Sequence, residues 1–207
     1  MSSERKLHGG ARARRARLLR WLCLGLLLLC TFSSAPGSAQ NMQVPVGVQA
    51  ELTAKVTAFD RNFPARAGSK AVILLMAMPN DAASMRAALE MKAALAKFAT
   101  IGDLPHEEHI VSYPGAAALT ELVRSRRAAV VYFGPGFGPQ VPAIREALSS
   151  VSVLSIGAVP DYVSEGIVLG FDLVSGRPKL LVHVQQARKQ QVAFPASVLN
   201  LMKIVPS

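Results

Sequence analysis

The sequence predicts an α/β protein: a three-layer α/β/α sandwich with a mostly parallel central sheet, followed by a C-terminal antiparallel hairpin and a helix. Three observations predict it. Two continuous apolar runs, KAVILLMAM (70–78) and AAVVYFG (128–134), have the length and β-branched content of strands buried on both faces. The segments between and after them carry apolar residues at helical spacing. Strand and helix patterns therefore alternate, which is the rhythm of parallel βαβ units.

The elements follow in chain order. Val48, Leu52, Val56 and Phe59 recur at fours and threes and predict a helix face, with Glu51 placed four residues before Lys55 for a favourable ion pair. Pro64 and Gly68 end that pattern, and the 70–78 run is the first strand. Asn80 or Asp81 can cap the next helix, whose inward stripe is Ala88, Met91, Leu95 and Phe98, with Arg86 and Glu90 paired outside. A short strand covers roughly 107–113. Pro114-Gly115 then opens a helix carrying Leu119, Leu122 and Val123, closed by Arg124, Arg126 and Arg127, whose charges suit a helix C-terminus. After the strand 128–134, GPGFGPQ turns the chain into a helix with Val141, Ile144 and Leu148, and VSVLSIG (151–157) is a fourth strand. GIVLGFDLV (166–174) and KLLVHV (179–184), joined by a four-residue turn Ser175-Gly176-Arg177-Pro178, predict the hairpin. The polar stretch QQARKQQ leads to a last helix burying Val198, Leu199, Met202 and Val205.

The first 39 residues are expected to be a cleaved secretory signal. Arg12, Arg14, Arg15, Arg17 and Arg20 form a basic region, and the apolar run Trp21 to Phe32 is shorter than the ~20 residues that span a bilayer. Small residues ending Gly37-Ser38-Ala39 place the cut after Ala39; Arg14-Arg15 leaves both the general and the twin-arginine export routes open. Residues 40–45 read as a short leader and 46–207 as one domain. The whole chain has a net charge of +10, but residues 1–39 hold seven of its 23 Lys and Arg and one of its 13 Asp and Glu, leaving the remainder at +4. The case for a nucleic-acid partner goes with that charge. Cys23 and Cys30 also lie in the signal, so no disulfide is expected in the exported domain.

No constellation of catalytic groups is apparent. GPGFG lies between a strand and a helix, where glycine N–H groups can meet an anion, so Gly134, Gly136, Phe137 and Gly138 are candidate ligand-binding residues. The stretch lacks the spacing of a phosphate loop or a dinucleotide fold, and Pro135 and Pro139 remove two donors. In His106-Glu107-Glu108-His109 the histidines are three apart, not four, and on a strand they point to opposite faces; a solvated strand entrance is expected, and no metal or cofactor. His183 has no evident carboxylate partner for base chemistry beyond a cross-strand Asp172. There is no GxSxG turn and no exported cysteine, so a hydrolase is disfavoured. The remaining candidate is FDRNFPAR (59–66), where Asp60, Arg61, Asn62 and Arg66 crowd a helix end more densely than dipole complementarity requires.

The C-terminal third, GIVLGFDLVSGRPKLLVHVQQARKQQVAFPASVLNLMKIV (166–205), resembles the closing segment of the YfiR family of periplasmic proteins. VLSIG (153–157) supplies the preceding strand, Gly166 and Gly170 the glycines, and Lys179 to Val184 the second hairpin strand. KVTAFDRNFPARAGSKAVILL matches the family's opening helix and first strand. Two departures stand out: the family's usual Asn in the hairpin strand is His183, and a glycine before the final helix is replaced within Gln190-Gln191-Val192. Redox control through disulfides, known in some members, does not carry over to a cysteine-free domain. The resemblance implies a non-catalytic periplasmic regulator that restrains an inner-membrane signalling protein, a diguanylate cyclase in cyclic di-GMP signalling or a histidine kinase. A homodimer and a small ligand are both compatible with it. The competing reading is a small-solute-binding module like one lobe of an ABC-transporter binding protein, although such proteins close two lobes over the solute. In either case 59–66 is framed as a contact surface, not as catalytic residues.

Overall fold

A computed structural model describes residues 43–206; the predicted signal segment lies outside the described residues. The elements are α1 (Val46–Thr57), α2 (Phe63–Ala67), β1 (Ala71–Ala77), α3 (Ala82–Leu95), β2 (His106–Ser112), α4 (Ala116–Ser125), β3 (Ala128–Phe133), α5 (Val141–Leu148), β4 (Leu154–Gly157), α6 (Asp161–Ser164), β5 (Leu169–Val174), β6 (Arg177–Val182), α7 (Val184–Lys189), α8 (Ala196–Leu199) and β7 (Lys203–Ile204). The strands form one seven-stranded sheet in the order β2-β1-β3-β4-β5-β6-β7. Neighbours from β2 through β5 run parallel, β5 and β6 are antiparallel, and β6 and β7 are parallel. The predicted α/β class and its antiparallel hairpin are what the structure shows.

Alternation along the central strands divides the core between the two faces. Ile73 and Leu75 of β1 with Val130 and Tyr132 of β3 meet α1 and α3 on one side. Leu74, Met76, Val131 and Phe133 meet α4 and α5 on the other. Burial on both faces is why these strands read as unbroken apolar runs. Helix α3 begins where Asp81 Oδ1 accepts from the N–H groups of Ala83 (2.9 Å) and Ser84 (3.0 Å).

Helix α1 departs from the predicted face. Its buried residues are Gln49, Ala50, Thr53, Val56 and Thr57, while Val48 and Leu52 are half-buried and Phe59, beyond the helix, is 51% exposed. The polar residues are tolerated inside because each is satisfied. Thr53 and Thr57 hydroxyls donate to carbonyls one turn back, at 2.8 and 2.9 Å. Gln49 donates to Val44 O and accepts from the Tyr132 hydroxyl at 3.0 Å. With its polar stripe turned inward, the helix carries apolar side chains on its outer flank. The Glu51–Lys55 pair is present at 2.6 Å, but Arg86 and Glu90 form no ion pair among the described residues.

The C-terminal end is corrected in three places. The hairpin turn is two residues, Ser175 and Gly176, both at positive φ (52° and 72°), with Arg177 and Pro178 already in β6. Such a turn matches the strand twist, and Pro178 is accommodated because it opposes Leu173 near the end of the strand. QQARKQQ, read as a polar stretch leading to the last helix, contributes most of α7. The last helix is one turn only, after which β7 pairs with Leu181 and Val182 of β6. The apolar spacing there fits a helix, but the otherwise unpaired edge of β6 claims the backbone of 203–205, with Val205 N–H donating to Val182 O at 2.9 Å.

Candidate functional site

Residues 59–66 lie at the amino end of the parallel sheet, between α1 and β1. Asp60 is turned inward, its side chain fully buried, and forms an ion pair with Arg66 Nη1 at 2.7 Å; the Arg66 side chain is 3% exposed. Asp60 Oδ1 also accepts from the N–H groups of Asn62 (3.1 Å) and Ala193 (2.9 Å). Arg66 continues outward from that pair, Nε donating to Ser152 Oγ (3.2 Å) and Nη2 to Gln191 O (3.0 Å), and Asn62 Nδ2 donates to the same carbonyl at 2.8 Å. Arg61 N–H donates to Ala193 O. The stretch is thus a polar staple that ties the front of the chain to 190–193 and to the entry of β4. Of the four sequence candidates here, Arg61 and Asn62 are exposed, whereas Asp60 and Arg66 are committed to the staple.

The staple is anchored from below by Phe63, which is fully buried. Its ring packs so closely on Gly102, held at φ 58°, that a Cβ there would stand 2.4 Å from the ring. Only glycine fits that approach.

Two depressions flank the stretch. On one side Asn62 and Arg66 line an open cleft of about 650 Å³ with Arg124, Arg127, Ser150 and Ser152. On the other, Phe59 lines an apolar groove of about 330 Å³ with Leu52, Val56, Val198, Leu201 and Met202, and Lys55 at its rim. Phe59 and Leu201 are 51% and 72% exposed. Neither depression was legible in the sequence: the groove depends on the rotated face of α1, and the cleft on residues far apart in the chain.

The other candidate, Gly134 to Gly138, follows β3 at the carboxyl end of the sheet. β1 continues to β2 on one side while β3 lies on the other, so this is the crevice at which open α/β sheets bind ligands. Here the loop is filled by its own residue. Phe137 is fully buried, edge-on to Tyr113 and Phe133 with ring centroids 5.4 and 5.3 Å away. Its N–H donates to the Tyr162 hydroxyl at 2.9 Å, and the N–H groups of Gly136 and Gly138 face the same oxygen. Burial raises the Tyr162 pKa, and these three donors oppose that shift. The glycine-rich cradle therefore holds a phenol from α6, and Gly136 is its one exposed member.

The histidines behave as strand and cap residues. His106 and Glu108 pair on the covered face of β2, where His106 Nε2 meets Phe98 O at 2.8 Å; this side is enclosed, not solvated as expected. His109 and Glu107 lie on the opposite, exposed side, 3.3 Å apart. No group of three or more metal-ligating side chains occurs among the described residues. His183 is the N-cap of α7: its Nδ1 accepts from Gln186 N–H at 3.1 Å. Burial lowers its pKa, with the nearby charges of Arg145 and Lys189 acting in the same direction. Among the described residues no helix is long and apolar enough to cross a membrane.

Comparison with known proteins agrees with this architecture. The chain is similar to a conserved domain protein from Vibrio cholerae O1 biovar El Tor, with TM-score 0.55 and 14% identity over 78% of this chain and 60% of that one. It is also similar to an ABC domain in complex with L-Trp from Streptococcus pneumoniae, with TM-score 0.53 and 14% identity over 78% of this chain and 62% of that one. At such identity the likeness speaks for the fold, and the chain spans only about 60% of each of these proteins. No curated protein matches. The model of the YfiR/HmsC-like family matches residues 47–203, which takes in the whole sheet apart from one residue of β7, as well as the staple and both depressions; the chain belongs to that family of periplasmic regulatory proteins.

Proposed function

We propose that the protein is an exported, non-catalytic regulator that binds the periplasmic part of an inner-membrane signalling protein, a diguanylate cyclase or a histidine kinase, through the apolar groove beside residue 59. The observation that carries this reading is the groove itself. Its lining is almost wholly apolar, and two large side chains, Phe59 and Leu201, stand open to solvent at its edge. Exposed apolar surface framed by polar residues marks a protein interaction site, and a central aromatic is the usual anchor. Lys55 supplies a charged rim. Regulation then requires only that the domain bind two states of its receptor with different affinity.

The test is crosslinking capture from the cell envelope with the exported protein. A membrane cyclase or kinase is expected with the native surface, and its yield is expected to collapse with Phe59→Asp, a change at an exposed position that leaves the fold intact. Capture undiminished by Phe59→Asp overturns the docking face. Recovery of no membrane signalling protein, with a tight small solute found by thermal shift, favours the competing solute-binding reading, which the fold alone supports. A concentration-dependent mass in light scattering that Phe59→Asp abolishes assigns the groove to a homodimer instead.

A further inference from the structure

We infer that the cleft at the amino end of the sheet is a binding site for a small, multiply charged organic oxyanion, a phosphate ester or a polycarboxylate. The inference goes beyond the docking role, since it concerns the opposite side of the 59–66 staple and needs no protein partner. Arg66, Arg124 and Arg127 line the cleft, and no Asp or Glu does; the Arg66 guanidinium is held in its ion pair with Asp60, so the uncompensated charge of the cleft is that of the exposed Arg124 and Arg127. The one carboxylate close behind the wall, Asp60, is consumed by Arg66 and two backbone N–H groups. The Gln191 carbonyl, an acceptor in the wall, already takes two donors, from Asn62 and Arg66. The side chains of Arg124 and Arg127 make no hydrogen bond or ion pair among the described residues. Ser150 and Ser152 add hydroxyls, and Ser152 Oγ, which accepts from Arg66, keeps its own proton to donate. Two unpaired guanidinium groups and two hydroxyls around an open volume, with no carboxylate in the lining, are the complement of an oxyanion.

The helix dipole does not account for this arrangement. One cation complements the end of α4; Arg124 stands in its last turn and the exposed Arg126 at its C-cap, outside the cleft, so that Arg127 is in excess of what the dipole requires. A volume of about 650 Å³ exceeds what an inorganic phosphate fills and falls in the range of small-molecule sites. The same oxyanion chemistry is found in a soluble ester and in an anionic lipid head group, and the test separates them.

The experiment titrates the purified exported protein with inorganic pyrophosphate and with citrate, by calorimetry and thermal shift, and measures co-sedimentation with phosphatidylglycerol–phosphatidylethanolamine vesicles. Saturable binding of a soluble anion in the millimolar range or tighter is expected, weakened roughly tenfold or more in Arg124→Ala/Arg127→Ala and unchanged in Arg126→Ala. Both variants alter exposed side chains, so their unliganded melting temperatures should match the parent. Vesicle binding lost in the double variant, without soluble-anion binding, assigns the oxyanion to a lipid head group at the same site. Absence of saturable binding to all three probes overturns the inference, as does binding that the double variant leaves intact.

Discussion

The two ends of the parallel sheet are finished in opposite ways. At the carboxyl end, where sheets of this class leave a crevice, Phe137 closes the gap by packing on Tyr113 and Phe133, and the loop donors turn to Tyr162. At the amino end the closure is ionic: Asp60 and Arg66 meet across a buried contact, and beyond them the cleft stays open. An apolar plug leaves nothing over for a ligand, whereas a polar staple fixes charged side chains at the wall of a solvent-filled space. A shared fold therefore does not fix which end carries the function.

Four measurements sharpen or break that contrast. The largest effect is expected from Arg66→Ala, which strands the buried Asp60 carboxylate and should cost about 3–5 kcal/mol in denaturant unfolding; a loss below about 1 kcal/mol would show the staple to be solvated. Phe137→Ala at the other end should cost about 3–4 kcal/mol through the cavity it leaves, an effect insensitive to salt. A smaller change is expected with pH. Because burial lowers the pKa of His183, the neutral form is the one that caps α7. The stability it contributes is present above the unfolded value of about 6.5 and is lost as pH falls through the lower folded value. Melting temperature should drop on acidification over that window, and His183→Asn, which can cap without titrating, should flatten the profile. The smallest effect belongs to Lys55→Ala, whose pair with Glu51 is 68% and 48% exposed and should be worth at most about 0.5 kcal/mol.

The parts of the fold legible in the sequence were those set by one local rule. Buried parallel strands announce themselves as apolar runs, as 71–77 and 128–133 do, and Asp81 was readable as a cap. What escaped depended on partners distant in sequence. The inward face of α1 could not be read because Gln49 is buried only by virtue of Val44 O and Tyr132. The strand character of 203–204 comes from the open edge of β6, not from its own pattern. The density of charge in FDRNFPAR was legible in the sequence, but its arrangement was not. Which of its arginines is buried is decided by Gln191 and Ala193, and Arg124 and Arg127 read as helix-end charges until the cleft brought them beside Arg66.

The staple also bears on how long a folded molecule lasts. Asp60 reaches Ala193 across 133 residues of chain, so its bonds close only after the intervening sheet has brought the two ends together. Contacts closed late are absent from the transition state, and their loss appears in the unfolding rate while the folding rate is spared. Stopped-flow kinetics of Arg66→Ala should therefore show faster opening with a nearly unchanged folding arm. Such a latch sets the working life of each copy by the time it takes to slip open, more than by the depth of its equilibrium.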